Sequence, residues 1–207
     1  MTPPKRSDRS ETTGKTPARQ LILEAAVEAF EREGFQAASV DAIADAAGVA
    51  RRTVYHHFKT KNDILVEATL EQARLFLVDL KQSVKPGADF PAFVVDSLVH
   101  VVRKSPTSRF FMLQMARGVA VESATIYFNH PTLIAEWLEH FREPYIDALR
   151  KGQINPAIEL PDLLKWFGRV ATSFLQYPTG STSKKELRTT LELFVGGALR
   201  YRATGGG

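Results

Sequence analysis

The chain of 207 residues contains no cysteine, which excludes a disulfide framework, thiolate metal sites and thiol nucleophiles together. It also has no apolar run near the roughly 18 residues that a membrane span requires; a stretch such as AFVVDSLVHVV is interrupted by Asp96 and His100. The opening residues, MTPPKRSDRSETTGKTPAR, hold no apolar block of the kind a secretory signal needs. No GxSxG, P-loop, HExxH or dinucleotide fingerprint occurs, so no catalytic constellation is present and an enzyme is not expected. Period-two apolar alternation is missing as well, which argues against strands. The expectation is a soluble, cytoplasmic, all-α protein.

An apolar content of 44% suits a chain that buries a real core. The net charge of +4 is too small to identify a partner by itself, so the placement of charge has to decide. Residues 1–16 are polar and carry Lys5, Arg6, Arg9 and Lys15 against Asp8 and Glu11, which predicts a disordered basic arm. From Pro17 helical spacing takes over. Leu21, Ile22, Ala25, Ala26, Ala29 and Phe30 form one apolar row, and Gly34 supplies the stop. Ser39 or Asp41 can cap a second, short helix ended by Gly48. A third runs from about Arg51 to Phe58, and a fourth starts near Lys61 and continues past Leu80 to the break at Pro86-Gly87. Helical patterns then cover 90–104, 108–122, 131–151, 161–177 and 183–201. This predicts a helix-turn-helix head over 17–63, joined by a long helix to a larger helical body over 64–207.

The stretch GVARRTVYHHFKTKNDIL, from Gly48 to Leu65, concentrates arginine, histidine and lysine and has no acid before Asp63. At 100° per residue, Ala50, Val54 and Phe58 share one side of the third helix, with Arg52 and His56 nearly opposite. Arg51, Thr53, Tyr55 and His57 flank that outward face. It offers guanidinium forks, a hydroxyl, a phenol and imidazoles, all groups that meet phosphates and base edges, and no carboxylate. His56 and His57 do not read as a metal pair, because adjacent helical residues diverge by about 100° and no further ligand lies near.

The segment ILEAAVEAFEREGFQAASVDAIADAAGVARRTVYHHFKTKNDIL, Ile22 to Leu65, resembles the tetracycline-repressor (TetR) family of bacterial transcription regulators. The resemblance rests on AAGV, the T-V-Y of the recognition helix, Phe58, and the K-x-x-x-L that opens helix four. It implies that Arg51, Arg52 and Thr53 approach bases, that Tyr55 and His57 bind backbone phosphates, and that Lys61 grips a phosphate. Ala50 departs from the family where a capping Ser or Thr is common, a loss of about 1 kcal/mol. Arg52 departs where glycine is common and adds a specificity contact.

The resemblance further implies a body that binds a small molecule and pairs with a second subunit through its last two helices. Candidates to line an apolar pocket are Phe111, Met112, Met115, Tyr127, Trp137, Phe141 and Trp166. Candidates for the subunit interface are Phe167, Val170 and Phe174 on the penultimate helix, and Leu187, Leu191, Phe194 and Ala198 on the last. The expected protein is a ligand-responsive repressor. A homodimer binds a pseudopalindromic double-stranded DNA operator and is released by a small hydrophobic effector, with no cofactor, metal or membrane involved. The alternative is a regulator that acts without a ligand or through a protein partner, including an activator.

Overall fold

The computed structural model describes residues 17–109, 130–176 and 183–200. Among them the chain is helical: α1 (Pro17–Glu33), α2 (Val40–Ala46), α3 (Arg51–His57), α4 (Lys61–Ser83), α5 (Phe90–Lys104), α6 (Pro131–Arg150), α7 (Leu160–Gln176) and α8 (Lys184–Leu191). α8 runs on through a π turn (Glu192–Gly196) into a last helical turn (Gly197–Leu199). Among the described residues the one extended pairing is an isolated bridge between Ile154 and Arg200. No described helix is long and apolar enough to cross a membrane. The expected helix over 108–122 lies mostly outside the described residues.

Side-chain caps and glycines set the joints of the head. Ser39 Oγ accepts the Ala42 N–H at 3.0 Å and starts α2. At its other end the Val49 N–H reaches the Ala44 carbonyl at 3.0 Å and the Gly48 N–H reaches the Asp45 carbonyl at 3.1 Å. That paired closure needs a left-handed residue, and Gly48 takes φ +66°. Thr60 and Asp63 form a reciprocal capping box at the start of α4, with the Asp63 N–H on Thr60 Oγ1 at 3.1 Å and the Thr60 N–H on the Asp63 carboxylate at 2.9 Å.

Among the described residues two apolar cores result, and α4 belongs to both. Ile22, Ala26 and Phe30 of α1 pack with Ile43, Val54, Phe58, Ile64, Leu65 and Ala68 in the head. Leu70, Ala73, Phe76, Leu77 and Leu80 join the body core with α5, α6, α7 and α8. The division drawn at 63/64 therefore cuts α4 near its start, and one continuous helix links the recognition unit to the body. Leu21 departs from the row expected of α1: it is 47% exposed, while Leu23 and Val27 are buried. In the body, Phe141 is fully buried at the centre of an aromatic cluster, 5.1 Å from Phe93 and 5.9 Å from Phe167 between ring centroids, with Trp137 stacked at 6.4 Å.

Candidate nucleic-acid interface

α3 is too short to hold itself, since isolated helices below about 12 residues are marginal in water. Ala50 gives no capping bond. The helix is held instead by its buried side, Val54 at 0% and Phe58 at 3% exposure. The Arg19 guanidinium lies 5.4 Å over the Phe58 ring and binds Glu67 at 2.8 Å, closing the back of the unit. With that side fixed, Arg51, Arg52, Tyr55 and His56 are exposed and Thr53 and His57 are half-buried. The structure thus brings six of the seven residues expected to touch DNA onto one surface.

They differ in how free they are. The Arg51 guanidinium donates through Nη1 to Asp41 Oδ2 on α2 and through Nη2 to the Tyr55 hydroxyl at 3.3 Å. It also lies 5.5 Å from the Tyr55 ring centroid. Arg52 makes no hydrogen bond or ion pair with any described residue. His56 and His57 meet edge to face at 5.2 Å. Burial first, then the neighbouring His56 and Arg19, lowers the His57 pKa below the ordinary histidine value, so at neutral pH it offers a neutral ring N–H.

Lys61 requires a correction. Its ammonium does not stand free for a phosphate: it donates to the carbonyls of Phe35 at 2.6 Å, Gln36 at 3.3 Å and Ala38 at 2.9 Å, and lies 4.5 Å over the Phe35 ring. A lysine has three N–H donors, and all three are used to hold the α1–α2 connection. Carbonyls of the turn between α1 and α2, at Phe35, Gln36 and Ala38, take the donors that the expectation assigned to a phosphate.

Sequence reasoning missed Asp41 as a partner of Arg51, although an acid ten residues before an arginine across a helix-turn-helix is visible in the chain. It also missed the Thr60–Asp63 box, whose T-x-x-D spacing announces it.

The body changes several expectations. Phe167, Leu187 and Leu191 were expected at a subunit interface but are 2%, 5% and 2% exposed within the subunit's own core, which leaves them no surface for a second copy. The outward side of the last helix instead carries Leu193 at 69% and Phe194 at 70% exposure, with Ala198 exposed. Val170 and Phe174 pack partly against the core. Among the pocket candidates, Trp137 lines an apolar cleft between α6 and α7 together with Leu133, Ile134, Pro161, Leu164, Lys165 and Phe167. Phe141 lies behind it in the core, and Trp166 is 42% exposed and not part of its wall. Phe111, Met112, Met115 and Tyr127 lie outside the described residues.

A helix-turn-helix head with a cationic outer helix, carried on an all-helical body by one long helix, defines a DNA-binding regulator. The family model described as bacterial regulatory proteins, tetR family, matches residues 22–68. The chain is 40% identical over 160 residues to the HTH-type transcriptional repressor KstR2 of Rhodococcus jostii (strain RHA1), covering 73% of this chain and 72% of that protein. It is 29% identical over 148 residues to the HTH-type transcriptional regulator UidR of Escherichia coli (strain K12), covering 70% and 74%. Among solved structures, Salmonella enterica GusR superposes with a TM-score of 0.67 at 23% identity, covering 92% of this chain and 99% of that one. The transcriptional regulator FadR from Bacillus subtilis in complex with stearoyl-CoA does so with 0.61 at 21%, covering 85% and 97%. The chain belongs to the tetR family and is a transcription regulator.

Proposed function

We propose that this regulator is a repressor that binds a pseudopalindromic operator as a homodimer and leaves it when a small apolar effector enters the body. One observation carries the reading: an outer face of α3 that gathers Arg51, Arg52, Thr53, Tyr55, His56 and His57 and no carboxylate of its own, pinned from behind by Val54 and Phe58. Arg52 and Thr53 address base edges, where a guanidinium fork discriminates guanine, and Tyr55 and His57 address phosphates. Arg51 addresses a base as well.

Two further features support the regulation. Leu193 and Phe194 leave a large apolar area uncovered on the last helix, and a two-fold site on DNA needs a two-fold protein to place recognition helices about 34–36 Å apart. The cleft between α6 and α7 has a volume of only about 60 Å³ as it stands, but its walls are mostly hydrocarbon and aromatic rings, the lining of an apolar effector site, and an effector seats there by widening it. A ligand seated there favours whichever body conformation suits it. Because α4 is shared by both cores, a shift in the body moves the head. Release follows from the ligand's differential affinity for the two states.

The test is a binding selection from random duplexes, followed by titration of the recovered site at two salt concentrations. A palindrome with half-sites one helical turn apart, bound with an affinity that falls steeply with salt, is the expected result. Recovery of unrelated sequences with no symmetry overturns it.

A further inference from the structure

The Arg51 guanidinium is held at two ends by two different elements. Nη1 donates to Asp41 Oδ2 on α2, and Nη2 donates to the hydroxyl of Tyr55, one turn along α3, at 3.3 Å. The same Tyr55 ring lies under the cation at 5.5 Å. An arginine has five N–H donors in a fixed planar fork, so three remain free. The cluster stands at the surface: the Arg51 and Asp41 side chains are 56% and 58% exposed, and Tyr55 is 44% exposed. An ion pair this exposed adds almost nothing to the stability of a fold. Its effect is on the side chain itself, which loses rotamer freedom before any ligand arrives.

We infer that Asp41 is a positioning residue for base recognition: from α2 it fixes the Arg51 fork, so that the free N–H groups meet one base edge in a set orientation. The inference rests on the DNA-binding reading of α3 and assigns α2, otherwise only a supporting helix, a part in sequence discrimination. Arg52, which nothing among the described residues holds, reaches its target by adjusting its rotamers. Arg51 arrives already placed.

The carboxylate has two opposed effects, and they separate in experiment. As a negative charge beside DNA, Asp41 repels phosphates and weakens binding to every sequence alike. As a buttress it strengthens binding only where the correct base meets the fork. Asp41→Asn keeps size and shape, leaves the Ser39 cap of α2 untouched, and removes the charge that grips Arg51. The full-length wild type, Asp41→Asn and Arg51→Lys are titrated against the selected operator and a scrambled duplex at two salt concentrations. Circular dichroism melts confirm that the variants fold.

Expected for Asp41→Asn is tighter binding to the scrambled duplex together with a fall of about tenfold in the ratio of selected to scrambled affinity. A repeated selection shows base preference flattened at one position in each half-site. Arg51→Lys, which keeps the charge but not the fork, loses preference at the same position. An unchanged or increased ratio for Asp41→Asn overturns the inference, as does flattening at a position that Arg51→Lys leaves intact. If the wild type shows no salt-sensitive binding to any duplex, the reading of α3 fails instead, and the two failures are told apart by that control.

Discussion

The Lys61 ammonium lies 2.6 Å from the carbonyl oxygen of Phe35, twenty-six residues earlier in the chain, and it bonds the Gln36 and Ala38 carbonyls as well. A lysine at the start of α4 thus closes the α1–α2 connection and fixes the position of α2, on which α3 rests. Lys61→Ala leaves three carbonyls without a donor, of which that of Gln36 is exposed enough for water to replace it. The expected loss is about 2 kcal/mol of stability, read from urea unfolding. Operator binding weakens only as far as the head loosens, and the slope of log affinity against log salt stays the same. A slope reduced by about 0.9 in a variant of unchanged stability would return Lys61 to the phosphate role. Lys61→Arg keeps the charge but replaces a compact tripod donor with a planar fork, so it does not restore the stability.

Phe194 and Leu193 are the most exposed large apolar side chains among the described residues, at 70% and 69%. Phe194→Glu is expected to leave the subunit core intact, because its neighbours Leu191 and Val195 face inward, and to convert dimer to monomer in sedimentation velocity. Operator affinity falls by about 100-fold as the second recognition helix is lost. Should the variant still sediment as a dimer, the interface lies elsewhere; a wild type that sediments as a monomer overturns the proposed homodimer.

How far the chain could be read without coordinates depended on the range of the forces involved. Helix spans follow from spacing and caps within a few neighbours, so α1, α4, α5, α6 and α7 fall within a few residues of where periodicity and Pro or Gly place them. The cationic face of α3 is equally local and was legible. Lys61 was not, because its partners are backbone carbonyls 23 to 26 residues away that leave no side-chain pattern. The last helix misled for a different reason. Four-residue steps drift by about 40° each on an α-helix, so Leu187, Leu191, Val195 and Leu199 do not read as one stripe. The π turn at Glu192–Gly196 adds a wider loop that takes back part of that drift, and all four are buried. Phe194, which the heptad-like reading placed beside Leu191, is turned outward.

The cleft beside Trp137 predicts a stabilising ligand. An apolar effector at about 100 times its Kd stabilises the fold by about 2.7 kcal/mol, a rise of several degrees in melting temperature for a chain of this size. Leu164→Trp places an indole in the same space and is expected to abolish the rise without abolishing folding. The chain has two tryptophans, and Trp166 stands outside the cleft. A Trp166→Phe variant therefore leaves Trp137 as the single reporter, whose fluorescence the ligand changes. A compound that raises the melting temperature equally in Leu164→Trp binds somewhere else.

His140 gives the body a predictable acid sensitivity. Its ring meets Phe93 at 5.5 Å and Phe141 at 5.0 Å, edge to face, and its buried Nε2 has no hydrogen-bond partner among the described residues. Burial first, then the charges of Lys81 and Lys85, pushes its pKa down from 6.5 to about 4. Because the folded value is below the unfolded one, the unfolded chain binds the proton first as pH falls. Stability from the neutral ring is complete above about pH 6.5 and is lost progressively as pH falls from there toward 4. Allowing for the part of the ring that solvent reaches, the loss is on the order of 2 kcal/mol. Melts at pH 7.5 and 5.0 should differ more for the wild type than for His140→Leu, in which there is nothing to protonate. Equal differences in the two proteins would place the acid sensitivity on other groups.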